Sequence, residues 1–270
     1  MPKMPLRLPG QALRLGVSHD SLALVRTSRL FGARRRPLGE VRIDGPEPES
    51  VARGLRTLFE GVDAAGWPLS VVLADELARI WQVAPPPQAA SPADLEAAAA
   101  MRFTSLFGSA TAGWTLAADW RADQPFLAAA LPAPLLAAVV DAAHAARCPL
   151  IEVVPQFVAA MNGWRRLRRP GAWFGLVHGQ VLTLAAYEGR MLAALRTAVL
   201  PPGADRAWLD NHIAREALRL GLTVPSLLQL CGTAPRSWAG EADGLACTLF
   251  EDGAAGEAGA LRLACTGSAA

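Results

Sequence analysis

The sequence predicts an α/β protein of two related halves, each a mixed sheet with flanking helices, the second half shortened. Three observations carry this. Strand and helix signals alternate along the chain. A strand meander followed by helices begins near Leu13 and recurs at Trp173. Of the 270 residues, 52% are hydrophobic and 19% charged, with a mean hydropathy of +0.24, which is enough apolar material for a large interior and too little charge for a disordered chain.

ALRLGVSH, SLALVRTSR and RPLGEVRID are dense in Leu and Val and separated by turn signals, His19-Asp20-Ser21 and an Arg34-Arg35-Arg36 loop, which predicts an antiparallel meander. Over 47–65, Val51, Leu55, Leu58, Phe59 and Val62 fall on one helical face, and Gly66 closes the helix. LSVVLAD predicts a buried strand, and ARIWQVAPPP a strand ended by prolines that cannot donate to a ladder. Ser91-Pro92-Ala93-Asp94 supplies a capping hydroxyl, a proline at the first helical position and an acid at the third, so a helix starts there and runs to about Phe107. GWTLAADW and PFLAAAL predict paired strands; PAPLLAAVVDAAHAARC, PLIEVVP and QFVAAMNGWRRL predict helix, strand and helix, the last ended by Pro170. WFGLVHGQVLTLAAYEGRML predicts a hairpin turning at His178-Gly179, and 205–220 a helix stopped by Gly221. LLQLCG and LACTLFE predict short strands, and the Gly/Ala-rich end from Gly253 predicts a tail partly disordered at its end.

Composition excludes several function classes. A net charge of +2 does not call for a polyanion partner, and nucleic-acid binding is not expected. Two basic clusters stand out, Arg34 to Arg36 and Arg165, Arg166, Arg168 and Arg169; they could meet anionic lipid headgroups or be solvated loops, and the sequence leaves both open. Cys148, Cys231, Cys247 and Cys265 form no CxxC pair and have no His at ligand spacing, which predicts buried thiols and no metal site. His19, His144, His178 and His212 are scattered, Ser18, Ser21 and Ser109 lack a G-x-S-x-G elbow, and no catalytic residue is assigned. The N-terminus has no signal-peptide core and no stretch of 18 apolar residues occurs, so the expected location is cytoplasmic.

Several stretches, taken together, carry a resemblance: GVSHDSLALVR at the start, APPPQAASPADLEAAAAMRF in the middle, and AARCPLIEVVPQFVAAMNGW before the second hairpin. In this order the chain resembles the PilM-like proteins of the actin/Hsp70/sugar-kinase superfamily and the cytoplasmic half of the L component of type II secretion systems, over roughly residues 13 to 232. The resemblance implies an actin-like (RNase H-like) two-lobed fold: a first lobe over 12–170 with a partner-binding subdomain inserted at about 84–130, a shortened second lobe over 171–250, and tails at 1–11 and 251–270.

The same resemblance identifies what has changed. Active relatives begin with Asp-x-Gly in a turn that wraps phosphate, where the carboxylate works through a metal ion; here Ser18 stands at the acid position, Asp20 at the glycine position and Ala23 near the expected lysine. At the second hairpin, His178 and Gly179 replace Asp-x-Gly-x-x-Thr, and Gly232 alone remains of a glycine doublet that packs on adenosine. The expectation is a pseudo-ATPase without cofactor, a scaffold in the inner-membrane platform of a type IV pilus or type II secretion-like machine. Its implied partners are the cytoplasmic tail of a bitopic membrane protein and, as a further candidate, an assembly ATPase, with homodimerisation left open. Trp81, Arg102, Phe103, Trp114 and Trp120 are the candidate partner contacts, although such aromatics serve cores as readily as pockets. The rival expectation is a divergent ATPase in which Asp20 holds Mg-ATP through the metal.

Overall fold

The computed structural model describes residues 10–28, 34–89, 91–242, 244–250 and 259–267. The first sheet begins with β1 (Gln11–Val17), β2 (Ser21–Ser28) and β3 (Arg34–Arg42), the antiparallel meander that the apolar runs predict. After α1 (Pro48–Phe59), β4 (Leu69–Leu73) lies parallel to β1, and β8 (Leu150–Pro155) parallel to β4, giving the order β3-β2-β1-β4-β8. Period-2 alternation divides the faces: Leu13, Leu15, Val17, Leu22, Leu24 and Val71 pack beneath α1 and α3 (Ala133–Ala145), while Val25 and Val72 point to the other side. The other side is covered by α6 (Ala260–Cys265).

The second sheet repeats this plan. Strands β9 (Trp173–His178), β10 (Val181–Glu188) and β11 (Met191–Val199) form a meander, and β12 (Leu227–Gly232) runs parallel to β9 as β4 does to β1. β14 (Leu245–Leu249) and the short β13 (Gly240–Ala242) extend it, giving the order β11-β10-β9-β12-β14-β13. The shortening falls on the helices. Among the described residues only α5 (Arg206–Leu220) separates β11 from β12, and one 3-10 turn, Arg236–Trp238, stands between β12 and β13. A third sheet, β5 (Arg79–Val83), β7 (Phe126–Pro132) and β6 (Trp114–Ala118), in the order β5-β7-β6, packs on α2 (Pro92–Phe107).

The chain resolves into two compact units, Met1–Ala78 with Leu131–Ala159 and Gly253–Ala270, and Arg79–Ala130 with Ala160–Asp252. The chain passes from the first unit to the second within α4 (Gln156–Gly163). These limits differ from lobes cut at 170/171, because the segment with the third sheet groups with the second half and α6 with the first.

Local chemistry explains the other differences. Helix α1 ends at Phe59, several residues before Gly66, because Gly61 takes a left-handed φ of 74°. Strand β11 lengthens the predicted hairpin to a meander, and its edge residue Arg196 pairs with buried Glu216 at 3.5 Å. Arg34 to Arg36 lie at the start of β3, not in a loop; the preceding residues 29–33, like 1–9, 251–258 and 268–270 of the expected tails, fall outside the described residues. Within the expected C-terminal tail, residues 260–265 are helical. Gly16 lets β1 approach the α6 backbone so closely that a Cβ there would sit 1.9 Å from the Ala260 carbonyl oxygen. Arg14 then donates Nε to Ala264 O at 2.8 Å and Nη2 to Thr266 O at 2.5 Å, supplying partners for carbonyls at the helix end. All four cysteines are free and buried.

Candidate functional site

The β1–β2 turn, which the resemblance sets against the phosphate turn of active relatives, is closed on itself by Ser18. The Ser18 hydroxyl accepts the Ser21 backbone N–H at 3.0 Å and lies 2.9 Å from Ser21 Oγ, while Ser18 N–H donates to Ser21 O at 2.9 Å. Ser18 Oγ also donates to Asp20 Oδ1 at 2.8 Å, and Ser21 Oγ reaches the same oxygen at 3.1 Å. The Ser18 hydrogen bond, with help from Ser21 and His19, holds the Asp20 carboxyl below its ordinary range, so it is ionised at neutral pH. His19 Nδ1 lies 2.8 Å from Glu76 Oε1, bringing a second carboxylate beside the turn. The backbone N–H groups of Ser18, Asp20 and Ser21 are thus engaged within the turn, and two acids stand near the opening.

The β9–β10 turn is two residues long. His178 pairs with Val181, so the turn residues are Gly179, at φ 55°, and Gln180, one position later than the sequence suggests. Val177 O accepts both the Thr233 N–H at 2.7 Å and Thr233 Oγ1 at 3.1 Å. Gly232, at φ 85°, lies so close to this strand that a Cβ would be 2.1 Å from Val177 O. The glycine therefore has a structural reason in this chain that is independent of any adenosine: strand β12 can end here only without a side chain.

The third sheet and α2 enclose an aromatic cluster. Trp81 and Phe103 are buried, 5.3 Å apart in an edge-to-face pair, and Phe103 also meets Phe107 at 5.0 Å and Trp114 at 5.6 Å. Arg79 covers Phe107 and Trp114, each at 5.6 Å. Helix α2 begins with the capping box that Ser91 and Asp94 predict and ends in left-handed Gly108. Trp120 is half-buried against Phe126 at 6.1 Å. Beside the cluster runs a groove of about 660 Å³ lined by residues including Val83, Pro86, Ala98, Met101, Arg102 and Ala193, and Met101 is 68% exposed. Gln82 donates Nε2 to Leu192 O at 2.5 Å along the same groove.

No protein-family model matches the chain, and no curated protein matches it. Solved structures do. The cytoplasmic domain of EpsL, an inner-membrane component of the type II secretion system of Vibrio cholerae, is 13% identical with a TM-score of 0.58 over 96% of this chain and 94% of that one. A chain of the PilM–PilN type IV pilus biogenesis complex is 17% identical at TM-score 0.57, over 90% and 88%. A Bacteroides thetaiotaomicron protein with actin-like ATPase fold and unknown function is 8% identical at TM-score 0.55, over 89% and 91%. The chain has the actin-like fold of EpsL and PilM.

Within this actin-like fold the candidate residues divide by position. Ser18 and Asp20 meet in one turn of the first unit, while His178, Gly179 and Gly232 converge on the end of β9 in the second. Of the five partner candidates, Trp81 and Phe103 form the interior of the third sheet's core and cannot also be surface contacts; Arg102 is exposed, and Trp114 and Trp120 are half-buried. Among the described residues no group of three or more His, Cys, Asp or Glu is placed to hold a metal, and no helix is long and apolar enough to cross a membrane.

Sequence reasoning passed over Asp75, the acid at the end of LSVVLAD. It accepts the Phe157 N–H at 2.9 Å, holding the start of α4 to the end of β4, and burial pushes its carboxyl up to about 7 despite the lowering effect of the Phe157 and Gln156 backbone N–H groups. Its position at a strand end left no sequence signal of burial.

Proposed function

We propose that this chain is a non-catalytic actin-like scaffold of a type IV pilus or type II secretion inner-membrane platform, cytoplasmic and held at the membrane by the cytoplasmic tail of a bitopic partner. The observation that carries the non-catalytic part is the Ser18-centred turn, whose N–H groups at Ser18 and Ser21 are engaged internally and whose opening carries ionised Asp20 with Glu76 nearby. An anion entering it would exchange those hydrogen bonds for charge repulsion. The two-residue β9–β10 turn supports the same reading. For the partner, the support is the groove beside α2: an apolar floor, one exposed methionine and, among the described residues, Arg102 as the one charged lining residue. Such a groove suits a short segment with apolar anchors and an acidic side chain.

Titration calorimetry tests both parts. Mg-ATP is expected to give no heat, and a cytoplasmic-tail peptide of a bitopic protein encoded beside this chain to bind in the micromolar range, near −8 kcal/mol. Arg102→Glu should weaken the peptide about tenfold or more while the thermal unfolding midpoint stays in place. Magnesium-dependent ATP binding lost in Asp20→Ala would restore the ATPase reading.

A further inference from the structure

The segment after α4, Trp164-Arg165-Arg166-Leu167-Arg168-Arg169, carries four arginines that the structure separates into two roles. Arg168 turns inward: it donates Nη1 to Tyr187 Oη at 3.0 Å, and its guanidinium lies over the rings of Tyr187 at 5.2 Å and Phe174 at 5.6 Å. Arg165, Arg166 and Arg169 are exposed, and among the described residues none has a carboxylate partner. Between them Leu167 is 54% exposed.

This presentation is held from beneath. Gln229 is a buried amide in the otherwise apolar strand LLQLCG, and it spends both ends on the loop: Oε1 accepts the Arg169 N–H at 2.8 Å, and Nε2 donates to Leu167 O at 3.2 Å. Trp164 stacks on Phe250 at 4.7 Å and anchors the near end, while Gly171 N–H donates to Gly189 O at 2.8 Å and fastens the far end to the β10–β11 turn. That turn adds exposed Arg190, beside Glu188, and Met191, 48% exposed. A buried polar side chain committed to a surface loop is costly unless fully bonded, and here it fixes an apolar side chain outward amid unpaired cations.

We infer that this loop is a direct contact for an anionic bilayer surface, with Arg165, Arg166 and Arg169 meeting lipid phosphates and Leu167 entering the headgroup layer. The contact is independent of any protein partner. Three cations and one apolar side chain give weak, reversible attachment, the kind that needs a second anchor to become stable.

Flotation of the full chain with phosphatidylcholine vesicles, with and without phosphatidylglycerol, tests it. The chain should float only with the phosphatidylglycerol vesicles, and raising the salt concentration should release it. Replacing the three exposed arginines (Arg165→Gln, Arg166→Gln, Arg169→Gln) should weaken binding on the order of a hundredfold, about fivefold for each charge. Leu167→Ala should weaken it a few-fold and leave the salt dependence unchanged, and Arg53→Gln, on the other unit, should change nothing. Equal flotation with neutral vesicles, flotation that survives the triple substitution, or no flotation while an oligonucleotide binds through the same arginines would each overturn the inference. The salt series on the unsubstituted chain decides the electrostatic part even if the triple variant folds poorly.

Discussion

The two hairpin turns, β1–β2 and β9–β10, occupy the same place in two sheets built on the same plan, yet they are closed by different chemistry. In the first, side chains do it: the Ser18 hydroxyl takes the Ser21 N–H and Asp20 collects the spare hydroxyl hydrogens. In the second, backbone does it: the turn is reduced to Gly179-Gln180, and Gly232 brings the end of β12 against the Val177 carbonyl. The sheets are held by their cores, so they tolerate any turn that returns the chain in register. The turns respond to nothing of the kind, and each closed in its own way. Side-chain closure should be cheap to open and backbone closure expensive.

The largest expected effect is therefore at Gly232. Gly232→Ala puts a Cβ 2.1 Å from Val177 O at a positive φ, and should cost about 3 kcal/mol or more in thermal or denaturant unfolding. A close approach of another kind in the first unit, at Gly16 of β1, puts the Cβ of Gly16→Ala 1.9 Å from the Ala260 carbonyl oxygen; there the relief is displacement of α6, visible as loss of amide-exchange protection over 260–265. Equal protection in variant and parent would mean that the close approach is not obligatory.

Opening the first turn should cost less. Ser18→Ala leaves the buried Ser21 N–H without its acceptor and should destabilise by about 1–3 kcal/mol, measured by urea unfolding. Smaller still is Gly179→Ala, which meets no atom within 4 Å and suffers only from φ 55°, about 1 kcal/mol. If Gly179→Ala proved as damaging as Gly232→Ala, the difference between tight backbone approach and mere turn conformation would be lost.

Asp75 sharpens the contrast by pH. Its folded-state pKa of about 7 lies above the ordinary 3.8, so the folded state keeps the proton longer than the unfolded one. The associated stability is complete below about pH 4 and falls as pH rises through 7. Asp75→Asn keeps an acceptor for the Phe157 N–H without the charge, and should flatten that decline and be the more stable protein at pH 8. An unchanged pH profile would remove Asp75 from the account.

Much of this fold was legible because local and tertiary signals agreed. Ser91 and Asp94 announced α2, Gly221 ended α5, and the apolar alternation of the first meander named its buried face. The misses have one cause, dependence on partners distant in sequence. Six residues from Ala260 cannot sustain a helix alone; Arg14 and Gly16, some 250 positions earlier, make it one. Trp81 and Phe103 carry the same residue types a binding face would use, and only α2 folding over β5 decides that they are interior. Of the candidate site, the residues at both turns that differ from the resembled family's pattern were visible, but the internal closure at Ser18 was not, since a hydroxyl's partner is a matter of geometry.

The docking of α6 also sets an order of events during synthesis. The first unit draws on three stretches of chain separated by the whole of the second, and β1, synthesised before any of the second unit, has part of one face uncovered until residues 260–265 follow. Nearly all of the second unit has emerged by then and can complete its own core, so the half that begins first is finished last. In the interval the apolar side chains Val25 and Val72 lack their cover, and a nascent chain stalled before residue 260 should be the species that chaperones hold longest.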